Sequence, residues 1–577
     1  MRSKFAWRIR LMAIGMVLVA IVLLVRLYDL QVVHGKEYRA KAEAQYVKQS
    51  PNQLDRGSIL FTAKDGSLIS AATQATGYTI AINPAVMTDP AAAYAKLKEV
   101  LPDLSQSEFL EKASDTEDTY AEVARRVRNE DGKAIAALKL KGVQALRETW
   151  RYYPGRDLAA HTVGFLGYGE GGTMLSGQYG LERFYDETLT RSAGGLYVNF
   201  FADLFTNIRS ELAGETRGGA DLITSIEPSA QQYLESVLKK YGEEWNPAIS
   251  GGIIMDPKTG AILALAAWPT FDANAPGETE IEYLGNPMVE RVYEFGSTMK
   301  PLTIAAGIDA GVITPTTTYD DKGSAVFDGA RINNYDLKAR GVVSMQEVLN
   351  QSLNTGVAYV VSRMGTGTFR DYFKKFGLTE ETGIDLPNEQ SPIAGNLESP
   401  RTIEYVTASF GQGVAVTPVA MARALATLAN HGKVPSPHVG VELRYGGGLN
   451  KEIGWAPERV AISPESAEAV TRMLVTVVDT SLLGGTVKIP EYSVAAKTGT
   501  AQIARTGERG YYDDRYLHSF FGYFPAYEPR FLIFLFAAEP KGARYASETW
   551  TKPFADTVKF LINYYDIPPD RAEQASL

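Results

Sequence analysis

In the stretch Tyr293-Glu294-Phe295-Gly296-Ser297-Thr298-Met299-Lys300-Pro301 a serine and a lysine stand three residues apart, a spacing that puts both on one face of a helix. The chemistry this pair offers is nucleophilic attack by a hydroxyl. A serine attacks only once something takes its proton, and a lysine takes it only if burial or a nearby positive charge lowers its pKa. A second cation is therefore required. Lys497, in Lys497-Thr498-Gly499-Thr500, is the candidate, and its repulsion would favour the neutral form of Lys300. Ser352, in Ser352-Leu353-Asn354, can relay a proton between Lys300 and a departing amine, and Asn354 can fix a lysine or a substrate amide by hydrogen bonds. Thr498 and Thr500 offer hydroxyls to a carboxylate, while Gly499 permits a ligand backbone to approach closely. The backbone amides of Ser297 and Thr500 are candidates for an oxyanion hole, where removing one donor costs a few kcal/mol. Together these residues make an acid/base circuit without histidine.

Each motif alone carries little information, and the chain holds decoys of all three. Ser236-Val237-Leu238-Lys239 repeats the serine–lysine spacing inside an amphipathic helix, Ser50-Pro51-Asn52 imitates the second motif, and Lys258-Thr259-Gly260 imitates the third at a hairpin tip. The decoys are out of order; Ser297, Ser352 and Lys497 are not. Other chemistries find less support. The chain has no cysteine, which excludes disulfides, thiolate metal sites and a thiol nucleophile. Its five histidines, His34, His161, His431, His438 and His518, show no metal-ligand spacing, and no GxSxG elbow accompanies them, so no metal and no cofactor is expected. With a net charge of −9 the chain offers no broad basic surface for nucleic acid.

The elements that must position these residues follow from periodicity and turn chemistry. Arg2, Lys4, Arg8 and Arg10 precede the uncharged run 11–25, closed by Arg26. Snorkelling arginines and the apolar residues beyond extend the run toward the roughly 20 residues that cross a bilayer. This predicts a short cytoplasmic tail over 1–10, a transmembrane anchor over 11–33 that contacts membrane lipid, and an extracytoplasmic remainder. A cleaved signal peptide would need small residues after the apolar core, and Val25-Arg26-Leu27-Tyr28 offers none. Residues 34–216 read as a separate domain with a helix over 36–49, a hairpin around Lys64-Asp65-Gly66 and a helical insertion over 89–149. Residues 217–577 mix helices (from about 228, then 297–310, 344–364, 417–430, 463–478 and 553–565) with strands (519–524 and 531–538) and a hairpin around Asp256-Pro257-Lys258-Thr259-Gly260. Pro301 predicts a tight or irregular first turn after Ser297. The predicted class is α+β, an antiparallel sheet flanked by helices.

At these residues the chain resembles the class B penicillin-binding proteins, and within them the cell-division type more than the elongation type. The resemblance runs from Leu27-Tyr28-Asp29-Leu30-Gln31-Val32 and Arg56-Gly57-Ser58-Ile59 through 177–186 and the three motifs to Ser409-Phe410-Gly411-Gln412-Gly413, Thr417-Pro418 and a hairpin over 525–530. It implies a transmembrane helix, an elongated mixed α/β pedestal over 34–216 and a penicillin-binding transpeptidase domain over 217–577. The implied activity is cleavage of a D-alanyl-D-alanine bond through an acyl-serine, with peptidoglycan stem peptides as substrate and β-lactams as inhibitors. It further implies a polytopic membrane glycosyltransferase and division or elongation proteins as partners. Phe295 stands where proline is usual and Ala496 where glycine is usual, which bears on substrate fit rather than reaction class. Rival readings are a serine β-lactamase, which needs fast hydrolysis and no pedestal, and a non-catalytic penicillin sensor or scaffold, which needs no intact Ser297, Lys300 and Lys497.

Overall fold

Runs of β-branched, aromatic and small residues build the sheet on which the three motifs converge. The computed structural model describes residues 55–169, 175–190, 219–446, 448–505, 507–508 and 510–571. The expected anchor over 11–33, the tail over 1–10, the helix over 36–49 and the boundary at 216/217 lie outside them. Among the described residues no helix is long and apolar enough to cross a membrane. Two compact units are present, one formed by Gln74–Trp150 and the other by Asp55–Thr73 with the chain from Arg151 onward.

The smaller unit packs helices Pro90–Val100, Gln106–Ser114 and Asn129–Ala137 around Ile80, Ile82, Leu97, Phe109 and Ile135. Asp89 and Ser105 cap the first two through the amides of Ala92 and Glu108. The insertion expected to be helical over 89–149 also contains strands, Ala121–Val127 and the start of Val143–Tyr152. Ala121-Glu122-Val123-Ala124-Arg125-Arg126-Val127 has helix-like composition, but it pairs antiparallel with Tyr78–Ile82, so tertiary pairing overrides local propensity.

In the larger unit five antiparallel strands run in the spatial order Ala495–Ala504, Tyr511–Phe524, Phe531–Ala538, Ile249–Met255, Ile262–Trp268. Phe531–Ala538 and Ile249–Met255 are buried along their whole length, because helices cover both faces. Leu234 and Leu238 of Pro228–Trp245 and Val558 and Leu561 of Thr551–Tyr564 pack with Phe520 and Ile533. Leu302, Leu425 and Leu474, from Lys300–Asp309, Pro418–Ala429 and Pro464–Thr476, pack with Phe521 and Phe534 in another cluster. Three of these helices start alike, with proline in the first turn and a capping side chain before it: Glu227 accepts from Ala230 N, Thr417 from Ala420 N and Ser463 from Ser466 N. The result is the α+β arrangement expected.

Residues 55–73 join this unit through the strand Ile59–Thr62. It forms the expected hairpin with the start of Leu68–Ile82 and pairs in parallel with Asp221–Thr224. Beside it Arg56 Nε and Arg151 Nε each contact a different oxygen of Glu182, at 2.7 and 2.6 Å, and Arg56 Nη1 reaches Asp186 Oδ1 at 2.8 Å. The motifs around Arg56, Arg151 and 177–186 thus share one buried ion cluster. At the hairpin tip, the decoy Lys258 is exposed and paired with Glu528 at 3.2 Å.

Candidate active site

Ser297 lies in a 3₁₀ turn, Gly296–Met299, that passes into the α-helix Lys300–Asp309 with Pro301 in its first turn. Gly296 makes the turn possible twice over. Its φ is +63°, a left-handed value, and a Cβ there would lie 2.7 Å from Thr500 O. Gly411 presses on the other side: its own φ is +79°, a Cβ on it would lie 2.2 Å from Gly296 O, and its carbonyl accepts from Gly296 N at 3.1 Å. Gly411, in the 409–413 segment that carried part of the family resemblance, therefore backs the serine turn. Gly499 works the same way. A Cβ on it would meet Ser519 Oγ at 2.3 Å and Phe295 O at 2.5 Å, so the backbone it admits is that of the protein's own turn rather than the ligand's.

The helix expected over 344–364 is two helices, Met345–Asn350 and Asn354–Met364. Ser352 breaks it with a φ of +53°, uncommon for a residue with a side chain and worth roughly 1–3 kcal/mol of strain. The break turns both Ser352 oxygens toward the lysines. Lys300 Nζ donates to Ser352 O at 2.5 Å and lies 3.1 Å from Ser352 Oγ, while Lys497 Nζ lies 3.1 Å from the same Oγ and 3.1 Å from Thr498 O. Lys300 is fully buried and Lys497 nearly so. Burial, and after it the charge of Lys497, holds Lys300 well below the ordinary lysine pKa; burial brings Lys497 down to about 8. Desolvation leads for Lys300 and the second cation adds to it, so both of the causes named from sequence act together.

Ser297 is half-buried and lines, with Ser352, Asn354, Lys497, Thr498 and Thr500, a groove of about 660 Å³. Among the described residues Ser297 Oγ has no hydrogen-bond partner, so Lys300 is bonded to Ser352 and not to the serine three residues before it. Asn354 Nδ2 donates to Asn333 O at 2.9 Å, which engages one of its two amide hydrogens with the end of a neighbouring strand rather than with a lysine. Thr498 and Thr500 share the groove face of the edge strand Ala495–Ala504, and Thr500 Oγ1 accepts from Ala546 N at 3.0 Å, leaving its hydrogen free to donate. The groove also holds Arg331 and Arg544, which sequence reasoning missed, and no carboxylate and no histidine are among its described lining residues. Such a site suits an anionic substrate. The two departures from the family pattern point elsewhere: Phe295 is buried edge-to-face against Phe534 at 5.0 Å, and Ala496 is enclosed in the opposite core cluster. His518 is buried, bonded to Thr549 Oγ1 and Arg544 O, and pushed down to about 4 by burial, so it is a neutral core residue.

Residues 251–559 match the penicillin binding protein transpeptidase domain and residues 52–211 the penicillin-binding protein dimerisation domain. The chain is 29% identical over 553 residues to the stage V sporulation protein D of Bacillus subtilis, covering 94% of this chain and 83% of that one. It is 30% identical over 494 residues to a probable peptidoglycan D,D-transpeptidase FtsI of Caulobacter vibrioides, covering 84% and 76%. Among solved structures it is similar to penicillin binding protein 2X of Streptococcus thermophilus, with a TM-score of 0.71, 21% identity and coverage of 89% and 80%.

Proposed function

The chain belongs to the class B penicillin-binding proteins, and from that premise we propose that it is a peptidoglycan D,D-transpeptidase, which cross-links stem peptides through an acyl-serine and is a target of β-lactams. The observation that carries the reading is the contact of two buried lysines of lowered pKa with one hydroxyl, that of Ser352, in a groove with no carboxylate among its described lining residues.

Lys300, in its amine form, takes the proton of Ser297 as the serine oxygen attacks the carbonyl of the penultimate D-alanine. The proton passes through Ser352 to the departing amine, the C–N bond breaks, and terminal D-alanine leaves. An acceptor amine then attacks the ester, its proton returns along the same path, and Ser297 is released with a new peptide bond formed. Support for Lys300 as base is its enclosure beside a second ammonium. The Ser297 and Thr500 amides are the proposed oxyanion hole, supported by the contact between the Gly296 turn and the Thr500 backbone. Thr498 and Thr500, with Lys497, are the proposed holders of the substrate carboxylate, Gly499 sets their spacing from Ser297, and Asn354, which lines the groove, is the proposed partner of a substrate amide.

We read its role as division more than elongation, on sequence resemblance alone; septal localisation of a fluorescent fusion tests it. The single-pass anchor over 11–33, with the N-terminus cytoplasmic, the domain boundary at 216/217 and a polytopic glycosyltransferase partner are part of the same reading. The deciding experiment incubates the purified extracytoplasmic part with fluorescent penicillin. A long-lived covalent adduct is expected, and Ser297→Ala abolishes it; labelling that persists in the variant removes Ser297 as nucleophile. A chromogenic β-lactam gives one stoichiometric burst, whereas sustained turnover makes the protein a β-lactamase.

A further inference from the structure

Ser352 occupies the stretch where the helix Asn354–Met364 would ordinarily take its cap. The N-cap residue is Leu353, which has no side-chain acceptor, and no side chain of its own caps the helix. Serine is among the preferred capping residues. Ser352, at a left-handed φ, instead accepts from Lys300 Nζ and Lys497 Nζ on its hydroxyl oxygen.

The missing acceptor comes from another loop. Asn334 Oδ1 accepts from Thr355 N at 3.2 Å, at the second helical position, where an N-cap side chain would bond. Asn334 is 1% exposed, and its Nδ2 donates to both oxygens of Asp321, at 2.9 and 3.0 Å. Asp321, also 1% exposed, further accepts from Gly323 N at 3.0 Å, Arg340 N at 3.1 Å and Thr355 Oγ1 at 2.8 Å. A buried carboxylate at a helix N-terminus is favoured by the dipole. The same loop grips the other side of Ser352: Arg340 Nε donates to Gln351 Oε1 at 2.9 Å, and Asn333 O accepts from Asn354.

We infer that Asn334 and Asp321 are positioning residues of the reaction: Asn334 supplies the cap that Ser352 forgoes, Asp321 orients Asn334 and ties down the Thr355 hydroxyl, and together they keep the Ser352 hydroxyl on the two lysines. The inference rests on the reading of Ser352 as proton relay. Without the borrowed cap, the first turn of Asn354–Met364 would compete for the Ser352 hydroxyl, and the strained backbone would relax toward an ordinary cap.

The test measures fluorescent penicillin acylation of wild type, Asn334→Ala, Thr355→Val and Thr355→Ser, separating the saturating rate constant from the half-saturating concentration. Asn334→Ala is expected to lower the saturating rate constant roughly ten- to hundredfold while leaving half-saturation within about twofold, as misplacement of a reacting group does. A merely structural role would lower the fraction of protein labelled and leave the rate constant of the labelled fraction unchanged, and that result in a folded Asn334→Ala overturns the inference. Should Asn334→Ala not fold, the threonine pair decides. Thr355→Ser keeps the hydroxyl and is expected at the wild-type rate constant, Thr355→Val loses it and is expected to be slower, and equal rate constants overturn the inference. An unlabelled wild type would instead overturn the transpeptidase reading itself.

Discussion

Lys300 and Lys497 hold their side-chain nitrogens 3.1 Å from one and the same oxygen, Ser352 Oγ, so the two nitrogens cannot be farther apart than twice that distance. Two ammonium groups so close and so buried cannot both keep their protons across neutral pH, and the deeper one yields first. Acylation by penicillin is therefore expected to rise with pH as Lys300 becomes neutral and to fall above about 8 as Lys497 loses the charge that draws a carboxylate. Lys300→Met should remove acylation without unfolding the protein. A rate constant that stays flat through this range, or survives in Lys300→Met, ends the assignment of Lys300 as base.

The same burial has a stability consequence with a definite sign. The pKa of Lys497 falls from 10.5 to about 8 on folding, so between those values the unfolded chain binds more protons and stability rises with pH. Below about 8 the penalty is fully present, up to about 3 kcal/mol at 1.36 kcal/mol for each pK unit. Lys497→Met is expected to be more stable than wild type at neutral pH, and the gain should vanish as pH approaches 10.5. Denaturant unfolding at the two pH values measures it; a gain independent of pH excludes a buried charged lysine as its source.

Gly296 and Gly311 offer an internal comparison. Both have left-handed φ, +63° and +68°, but a Cβ at Gly311 meets nothing within 4 Å, whereas one at Gly296 meets the Thr500 backbone at 2.7 Å. Gly311→Ala should cost only the backbone term, about 1–2 kcal/mol, and leave acylation alone. Gly296→Ala should add loss of penicillin labelling, because backbone cannot swing aside and the serine turn must leave the strand. Equal labelling of the two variants would show that the turn and strand need not touch.

What the sequence discloses about the fold is the part written in local rules. The Thr417-Pro418 and Ser463-Pro464 starts, the Asp65-Gly66 turn and the irregular first turn at Pro301 all follow from neighbouring residues. Ser352 does not. Nothing in Gln351-Ser352-Leu353-Asn354 demands a left-handed residue, and the periodicity continues through it as though one helix ran from 344 to 364. The groups that hold the first turn after the break, Asp321 and Asn334, lie 34 and 21 residues before Thr355 in the chain, beyond any window that reads local propensity. The strand Ala121–Val127 was hidden for a like reason, since its partner Tyr78–Ile82 is distant in sequence and its own composition suits a helix. Arg331 and Arg544 carried no spacing signal at all; only the folded groove assembles them with Lys497.

Away from the groove, Glu182 serves two buried guanidiniums at once, Arg56 at 2.7 Å and Arg151 at 2.6 Å, and is itself wholly enclosed. Asp186 gives Arg56 one further contact at 2.8 Å, but Arg151 has no other carboxylate partner among the described residues. Glu182→Gln keeps the shape and removes the charge, leaving two buried cations with one anion. Breaking a buried pair in this way typically costs 3–5 kcal/mol, because the remaining charge is neither solvated nor matched. The variant should therefore melt at a clearly lower temperature, while the folded fraction keeps the wild-type rate constant for penicillin acylation, since none of these side chains lines the groove. A stability loss below about 1 kcal/mol would show that the cluster is solvated in solution, and a changed rate constant would show that it supports the site as well as the fold.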